Sequence, residues 1–282
     1  MKNGRIDDRA SAASNVKKAG NKTVSSTPRN CRVGVDIGGT FTDIALDLDG
    51  TLHSTKILTD YTAPERAILK GVKAVADMAG IALSEIGILI HGTTLATNAL
   101  IERRGARTAF VTTEGFRDVL EMRTENRFEQ YDLNISLPPA LIARADRFVV
   151  RERIDAAGKV LLDLDDASVA AVVEKVAAGG YESVAIGFIH AYANGAHEIA
   201  VRDAIVKRLP GLSVSISSEV SPQMREFERF NTVCANAYVK PAIKSYLDRL
   251  VVSLKDIGVR CPVFMIHSVS YTHLTLPTNR EV

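Results

Sequence analysis

The octet Asp36-Ile-Gly-Gly-Thr40-Phe-Thr42-Asp43 sets two carboxylates around a Gly-Gly turn that also carries two hydroxyls. Consecutive glycines let a turn bring backbone N–H groups close to an anion, and the threonines add donors. Gly38, Gly39, Thr40 and Thr42 are therefore a candidate phosphate cradle. In a hairpin of period 2, Asp36 and Asp43 share a face, where Mg2+ would sit on a nucleotide's phosphates. Magnesium keeps most of its waters, so Asp36 is expected to hold it through water, with Asp43 as the second candidate ligand. The plainer reading is a tight hairpin with no ligand, and the two flanking acids favour the phosphate.

Other polar clusters offer further chemistry. His91-Gly-Thr-Thr94 follows the apolar run 87–90 and precedes a helical pattern. A turn at a strand's end that opens a helix directs N–H groups and hydroxyls into the crevice where α/β sheets bind ligands. Gly92, Thr93 and Thr94 are thus candidate pocket residues, although either threonine serves equally well as a helix N-cap. His91 titrates near neutral pH and is a candidate catalytic proton carrier; a hydrogen-bonded structural histidine fits the same position. Thr97 and Asn98 are polar within an apolar helix, facing either a pocket or a neighbouring loop. Arg225 and Arg229 have i, i+4 spacing, so Arg225 is a candidate for an anionic substrate, with solvated pairs to Glu226 or Glu228 as the alternative. His190 follows an apolar strand and reads as packed. The spacing assembles neither a Ser-His-Asp triad nor a metal-ligand cluster.

These residues need elements to position them. Alternation over 32–36 and 41–48 around the Gly-Gly turn predicts a β-hairpin, and Asp49-Gly50 is a primed two-residue turn into a third strand over 51–58. Pro64 then opens a helix with Ile68, Leu69, Val72, Val75 and Met78 at helical spacing, closed by Gly80. Next come a strand over 87–90, a helix reaching 104 with Gly105 as its cap, a strand over 108–111 and a helix over 115–120. An irregular excursion over 121–143 leads to extended segments over 149–154 and 160–162 around an Ala157-Gly158 turn. A helix over 165–178 is capped by Asp165 or Asp166, a buried strand spans 183–189, and a helix opens at Asn194. A strand over 213–217 precedes a long helical run over 226–254, interrupted by Pro241, and a last strand over 263–266. Strands alternating with helices after an antiparallel hairpin predict a mixed α/β sheet.

The 282 residues, 46% hydrophobic and 24% charged, have the balance of a globular protein of about two domains, which excludes a mostly disordered chain. No apolar run approaches the roughly 18 residues needed to span a bilayer, so no membrane association is expected. Three cysteines without a CxxC pair fit a reduced cytoplasmic protein. Residues 1–30 carry seven basic against two acidic side chains, which leaves the rest net negative and gives no electrostatic case for nucleic acid.

The octet in its βββα setting resembles the first phosphate loop of the actin and hexokinase superfamily. Val33-Gly-Val-Asp-Ile-Gly-Gly-Thr-Phe-Thr-Asp43, His91-Gly-Thr-Thr-Leu-Ala-Thr-Asn-Ala-Leu100, Gly115-Phe-Arg-Asp118, Ser218-Glu-Val-Ser-Pro222 and Arg225-Glu-Phe-Glu-Arg229 together resemble the hydantoinase A / 5-oxoprolinase family over 32–268. Gly195, where that family commonly has Pro, and Phe230-Asn231-Thr232, in place of a Thr/Ser-rich stretch, depart from it. The resemblance implies a ribonuclease-H-like α/β fold with flanking helices, two lobes around Mg-ATP, and a B-type partner subunit or domain. It also implies ATP-dependent opening of cyclic amides such as hydantoins or 5-oxoproline through a phosphorylated amide oxygen; ketone carboxylase subunits share the family. A small-molecule kinase of the same superfamily and a catalytically inactive fragment are the alternatives.

The expected organisation is a disordered basic tail over 1–31, an N-terminal domain over 32–225, a truncated second domain beginning over 226–268, and a foreign tail over 269–282. No second phosphate hairpin or adenosine-binding Gly-rich loop follows Glu226, so the chain is not expected to turn over ATP alone.

Overall fold

The computed structural model describes residues 30–60, 62–124, 131–135 and 137–266. The expectation of a disordered tail lies outside them up to residue 29, as does the foreign tail over 269–282. β1 (Cys31–Ile37), β2 (Phe41–Leu48) and β3 (Thr51–Leu58) form an antiparallel meander, with Asp49 at φ 52° and Gly50 at φ 90° in the turn between the last two. Those positive angles are what a primed hairpin turn demands. β1 alternates strictly between buried and exposed residues, the signature of a sheet covered on one face. Covering that face is α1 (Pro64–Ala79), which buries Ile68, Val72 and Val75 and ends at Gly80 in the left-handed conformation.

β4 (Ile88–Thr93) runs parallel to β1 and continues through His91, Gly92 and Thr93, which the sequence placed in a turn. Register with Asp36 and Ile37 holds these residues in the ladder. The following helix, α2 (Leu95–Ile101), is shorter than expected, and Gly105 is no cap. A Cβ on Gly105 would lie 2.1 Å from the Tyr238 ring, so this glycine permits close packing.

The chain then builds a second sheet. β5 (Thr108–Thr113) leads through the short α3 (Val119–Met122) to β6 (Arg147–Val150) and the small ribbon of β7 (Arg153–Ile154) and β8 (Val160–Leu162). Next come α4 (Asp166–Ala178), β9 (Ser183–Gly187), α5 (Ala196–Arg208), β10 (Ser213–Ile216) and α6 (Ser217–Val220). Asp165 caps α4 as expected, accepting from the Ser168 N–H at 2.8 Å. The second sheet has the order β10-β9-β5-β6 and is wholly parallel. Every residue of β5 and β9 is buried, because parallel sheets are covered on both faces. α4 and α5 pack on one side.

α7 (Glu226–Asp256) covers the other side with Phe230, Val233 and Ala237, and runs on without interruption through Pro241. Its second half packs Tyr246, Leu250 and Leu254 into the core of the first sheet. β11 (Val263–Ile266) then pairs with β4, giving the first sheet the order β11-β4-β1-β2-β3. The second half of α7 and β11 thus complete the first sheet, and the second sheet lies between its strands in the chain. The departing and returning segments touch where the Ala106 N–H donates to the Tyr238 carbonyl at 2.8 Å.

A Cβ on Gly187 would meet Phe230 at 2.6 Å and Phe110 at 3.1 Å, inside the aromatic contact between α7 and the second sheet. Gly187→Ala is expected to lower stability by about 1–3 kcal/mol through overpacking. Gly211→Ala, in open space, should change it by less than about 0.5 kcal/mol. Urea unfolding of the two variants checks this contrast.

Candidate functional site

The hairpin between β1 and β2 lies on the uncovered face of the first sheet. Asp36 is registered opposite Asp43 on one side and Gly92 on the other, and Asp43 opposite Lys56. Both carboxylates are exposed on this face, as the period of the strands requires. Lys56 reaches Asp43 at 2.8 Å, whereas Asp36 has no hydrogen-bond or ion-pair partner among the described residues. A Cβ on Gly92 would stand 3.3 Å from Asp36 Oδ1, so glycine keeps that carboxylate clear.

The turn is pinned from beneath by Thr59, a residue that sequence reasoning missed. Its N–H donates to the Thr40 carbonyl at 3.0 Å and its hydroxyl to the Gly38 carbonyl at 3.1 Å. The Gly38 N–H closes the turn onto the Phe41 carbonyl at 3.0 Å, so it is turned inward and not toward an anion. Thr42, expected in the cradle, is buried with its hydroxyl 3.0 Å from that of Thr59. The alternation that sets Asp36 and Asp43 outward sets Thr42 inward, and could have shown this. Gly39 and Thr40 remain exposed at the tip.

The β4–α2 junction lies beside this tip. The Thr94 hydroxyl donates to the Ile37 carbonyl at 3.4 Å, and Thr93 Oγ1 accepts from the Leu95 N–H at 3.2 Å. Asn98 Nδ2 donates to Thr94 Oγ1 at 3.5 Å. Gly92, Thr93, Thr94 and Asn98 are thus brought together next to Asp36. Thr93, one residue before the N-cap, satisfies the first N–H of α2, while Thr94, at the N-cap itself, makes no side-chain cap bond and ties the junction to β1 instead.

His91 faces the opposite way. It is fully buried on the helix-covered side of the sheet, with Nε2 2.7 Å from the Tyr246 hydroxyl and Nδ1 3.5 Å from the Val35 carbonyl. A carbonyl only accepts, so Nδ1 carries the proton and Nε2 accepts from tyrosine. Burial holds the imidazole down at about 4, with the Val35 carbonyl and Asp36 opposing weakly. Burial also pushes the Tyr246 hydroxyl up. The catalytic role expected of His91 does not fit this placement, because the sheet separates its ring from the hairpin.

Arg225 is also elsewhere. It lines a cleft of about 570 Å3 between α3 and the head of α7, together with Gly115, Phe116 and Asp118. The motif residues there are structural in part: Gly115 adopts φ 88°, Arg153 lies over the Phe116 ring, and Asp118 binds Arg144 at 2.8 Å and 3.0 Å. That pairing holds the Asp118 carboxyl below the usual carboxylate range.

Arg229, expected among solvated ion pairs, is fully buried. It donates to the Phe188 carbonyl at 2.8 Å, the Gln223 carbonyl at 2.9 Å and Ser217 Oγ at 3.1 Å. Ser217 in turn donates to buried Glu198 at 2.6 Å, which also accepts from the Phe188 and Ser218 N–H groups. Burial pushes the Glu198 carboxyl up against these hydrogen bonds and the Arg229 guanidinium down. Asn194, at which the sequence opens this helix, sits one residue before the cap position and accepts from the Ala196 N–H at 3.1 Å.

Among the described residues no group of three or more His, Cys, Asp or Glu could hold a metal, and no helix is long and apolar enough to cross a membrane.

Residues 32–209 match the family model described as the hydantoinase/oxoprolinase N-terminal region. The chain is 36% identical to an uncharacterized protein of Methanocaldococcus jannaschii, over 84% of this chain and 35% of that one. It is 32% identical to the caprolactamase subunit alpha of Pseudomonas jessenii, over 82% of this chain and 34% of that one. The crystal structure of the ATP-dependent caprolactamase from that organism superposes with a TM-score of 0.76 at 31% identity, over 83% of this chain and 35% of that one. The 5-oxoprolinase of Saccharomyces cerevisiae is 32% identical, over 80% of this chain and 20% of that one. The actin/hexokinase-type α/β fold expected from the sequence is the fold these matches share. The chain spans about a third of the length of the first two relatives.

Because the folded state holds His91 near 4 while an unfolded histidine titrates near 6.5, the unfolded state binds the extra proton between those values. Stability is therefore expected to fall as pH drops from 7 to 5, by about 2 kcal/mol from this group. Urea unfolding at both pH values should show a smaller loss in His91→Gln than in the parent; an equal loss would contradict the assignment.

Proposed function

The chain belongs to the hydantoinase/oxoprolinase family, and on that footing we propose that it supplies the nucleotide-phosphate side of an ATP-dependent site that opens cyclic amides. One observation carries this reading: the Asp36 carboxylate, without a partner among the described residues, stands beside an exposed Gly-Thr tip and a glycine that keeps it clear. Gly39 and Thr40 receive phosphate oxygens, and Lys56, paired with Asp43, adds positive charge at the edge of the site. Gly92, Thr93, Thr94 and Asn98 line the adjoining wall.

The donor set fits Mg2+, which takes one or two carboxylates together with water and substrate phosphates. Asp36 would hold it, with Asp43 only where Lys56 gives way. When bound, the ion neutralises charge on the transferring phosphoryl group.

An amide is a poor electrophile. Attack of its oxygen on the γ-phosphorus, with ADP leaving, turns that oxygen into a good leaving group. Water then adds at the acyl carbon, the C–N bond breaks with the amine as leaving group and opens the ring as an acyl phosphate, and a second water hydrolyses that to the carboxylate and inorganic phosphate. The demand on the protein is positioning and electrostatic stabilisation, which a rigid hairpin pinned by Thr59 suits. His91 takes no proton in this scheme. The relatives named as a caprolactamase subunit and a 5-oxoprolinase support the reaction class, and a further domain or a B-type partner subunit completes the site in a cytoplasmic assembly.

Titration of the protein with Mg-ATP, followed by 31P NMR, should perturb the β and γ phosphates in a magnesium-dependent way. Asp36→Asn is expected to weaken the response about tenfold. No magnesium-dependent response, or one unchanged in Asp36→Asn, would overturn the reading. With the partner present, ADP and a ring-opened product should accumulate; a released phosphorylated substrate in their place would indicate a kinase.

A further inference from the structure

Two depressions adjoin at the head of α7. The larger, about 570 Å3, takes its apolar wall from Phe116, Val119, Met122 and Phe227; the smaller, about 320 Å3, shares Arg123 with it and adds Arg103. Arg103 at φ 55°, Arg123 at φ 58° and Arg225 at φ 85° all line this surface. Side-chain-bearing residues rarely hold such angles, and strained backbone of this kind concentrates at functional sites.

The charge here is unbalanced in an informative way. Arg103 donates to the Pro139 carbonyl at 2.8 Å and Arg123 to that of Pro138, contacts that fix the guanidinium groups without cancelling their charge. The nearby carboxylates of Asp118 and Glu121 are taken by Arg144 and Arg147. The Arg225 guanidinium has no hydrogen-bond or ion-pair partner among the described residues. The same holds for the carboxylate of Glu228, which lines the same cleft, while Glu226 leans toward Arg229 and His190.

We propose that this cleft binds a small zwitterion, a carboxylate and an ammonium joined by an apolar chain, with the carboxylate on Arg225 and Arg123 and the ammonium at Glu228. The inference rests on the cyclic-amide reading. Opening a lactam adds water across the C–N bond, hydroxyl to the acyl carbon and hydrogen to the nitrogen, and at neutral pH the product is an ammonium carboxylate. A free inorganic anion would leave the apolar wall and Glu228 without a role.

The test is NMR titration of the 282-residue protein with 6-aminohexanoate, hexanoate and hexylamine, without nucleotide. Aminohexanoate should bind more tightly than either singly charged compound. Arg225→Gly removes the guanidinium while suiting the positive φ, and is expected to weaken aminohexanoate binding about tenfold or more. Glu228→Gln should bring aminohexanoate and hexanoate closer together. Absence of binding, binding unchanged in Arg225→Gly, or hexanoate bound as tightly as aminohexanoate would overturn the proposal. Asp36→Asn should leave these titrations unchanged. Loss of the Mg-ATP response with aminohexanoate binding intact would therefore count against the hairpin alone, and the reverse against this cleft alone.

Discussion

One helix holds the two sheets together through two buried polar anchors. Arg229 near the start of α7 is fully buried in the second sheet, and Tyr246 hydrogen-bonds to His91 in the first. Seventeen positions separate them, about 26 Å of helix. A buried guanidinium is tolerable only when its donors are satisfied. Those acceptors come from the end of β9, from α6 and from the loop before α7, with Glu198 of α5 behind them. The helix can therefore dock only when all of these arrive, and that fixes where its second half meets the first sheet.

The first sheet depends on this arrangement because its two faces have different duties. Its inner face is hydrocarbon and the His91–Tyr246 pair. Its outer face carries the row Gly92, Asp36, Asp43 and Lys56. Adjacent residues of one strand thus serve opposite ends: His91 ties the sheet to α7, and Gly92 makes room for the Asp36 carboxylate. A one-residue slip of β4 would bury the wrong member of each pair.

Much of this was legible in the sequence because local and global signals agreed. The three antiparallel strands, α1 with its Pro and Gly ends, and the Asp165 cap all follow from period and turn chemistry. Where the reading failed, long-range partners had overruled local preference. Gly92-Thr93 looks like a turn, yet pairing with β1 keeps it extended. Thr42 looks like a donor to a ligand, yet Thr59, 17 positions on, claims its hydroxyl. The burial of Arg229 needs Ser217 and Glu198, neither of which spacing alone connects to it. Arg225 shares a helix-like spacing with Arg229, but the backbone at φ 85° takes it off the helix and into a different cleft from the hairpin.

The return of β11 to the edge of β4 has a consequence for how the molecule is made. All four strands of the second sheet lie between Thr108 and Ile216, so that unit is available for folding while the first is still incomplete. The first sheet must wait, because β4 and β11 are separated by about 170 residues and the loop between them has to close before they can pair. During synthesis, then, the meander that carries the Gly-Gly hairpin emerges before the second sheet and is finished after it, its parallel edge open until the chain has passed residue 266.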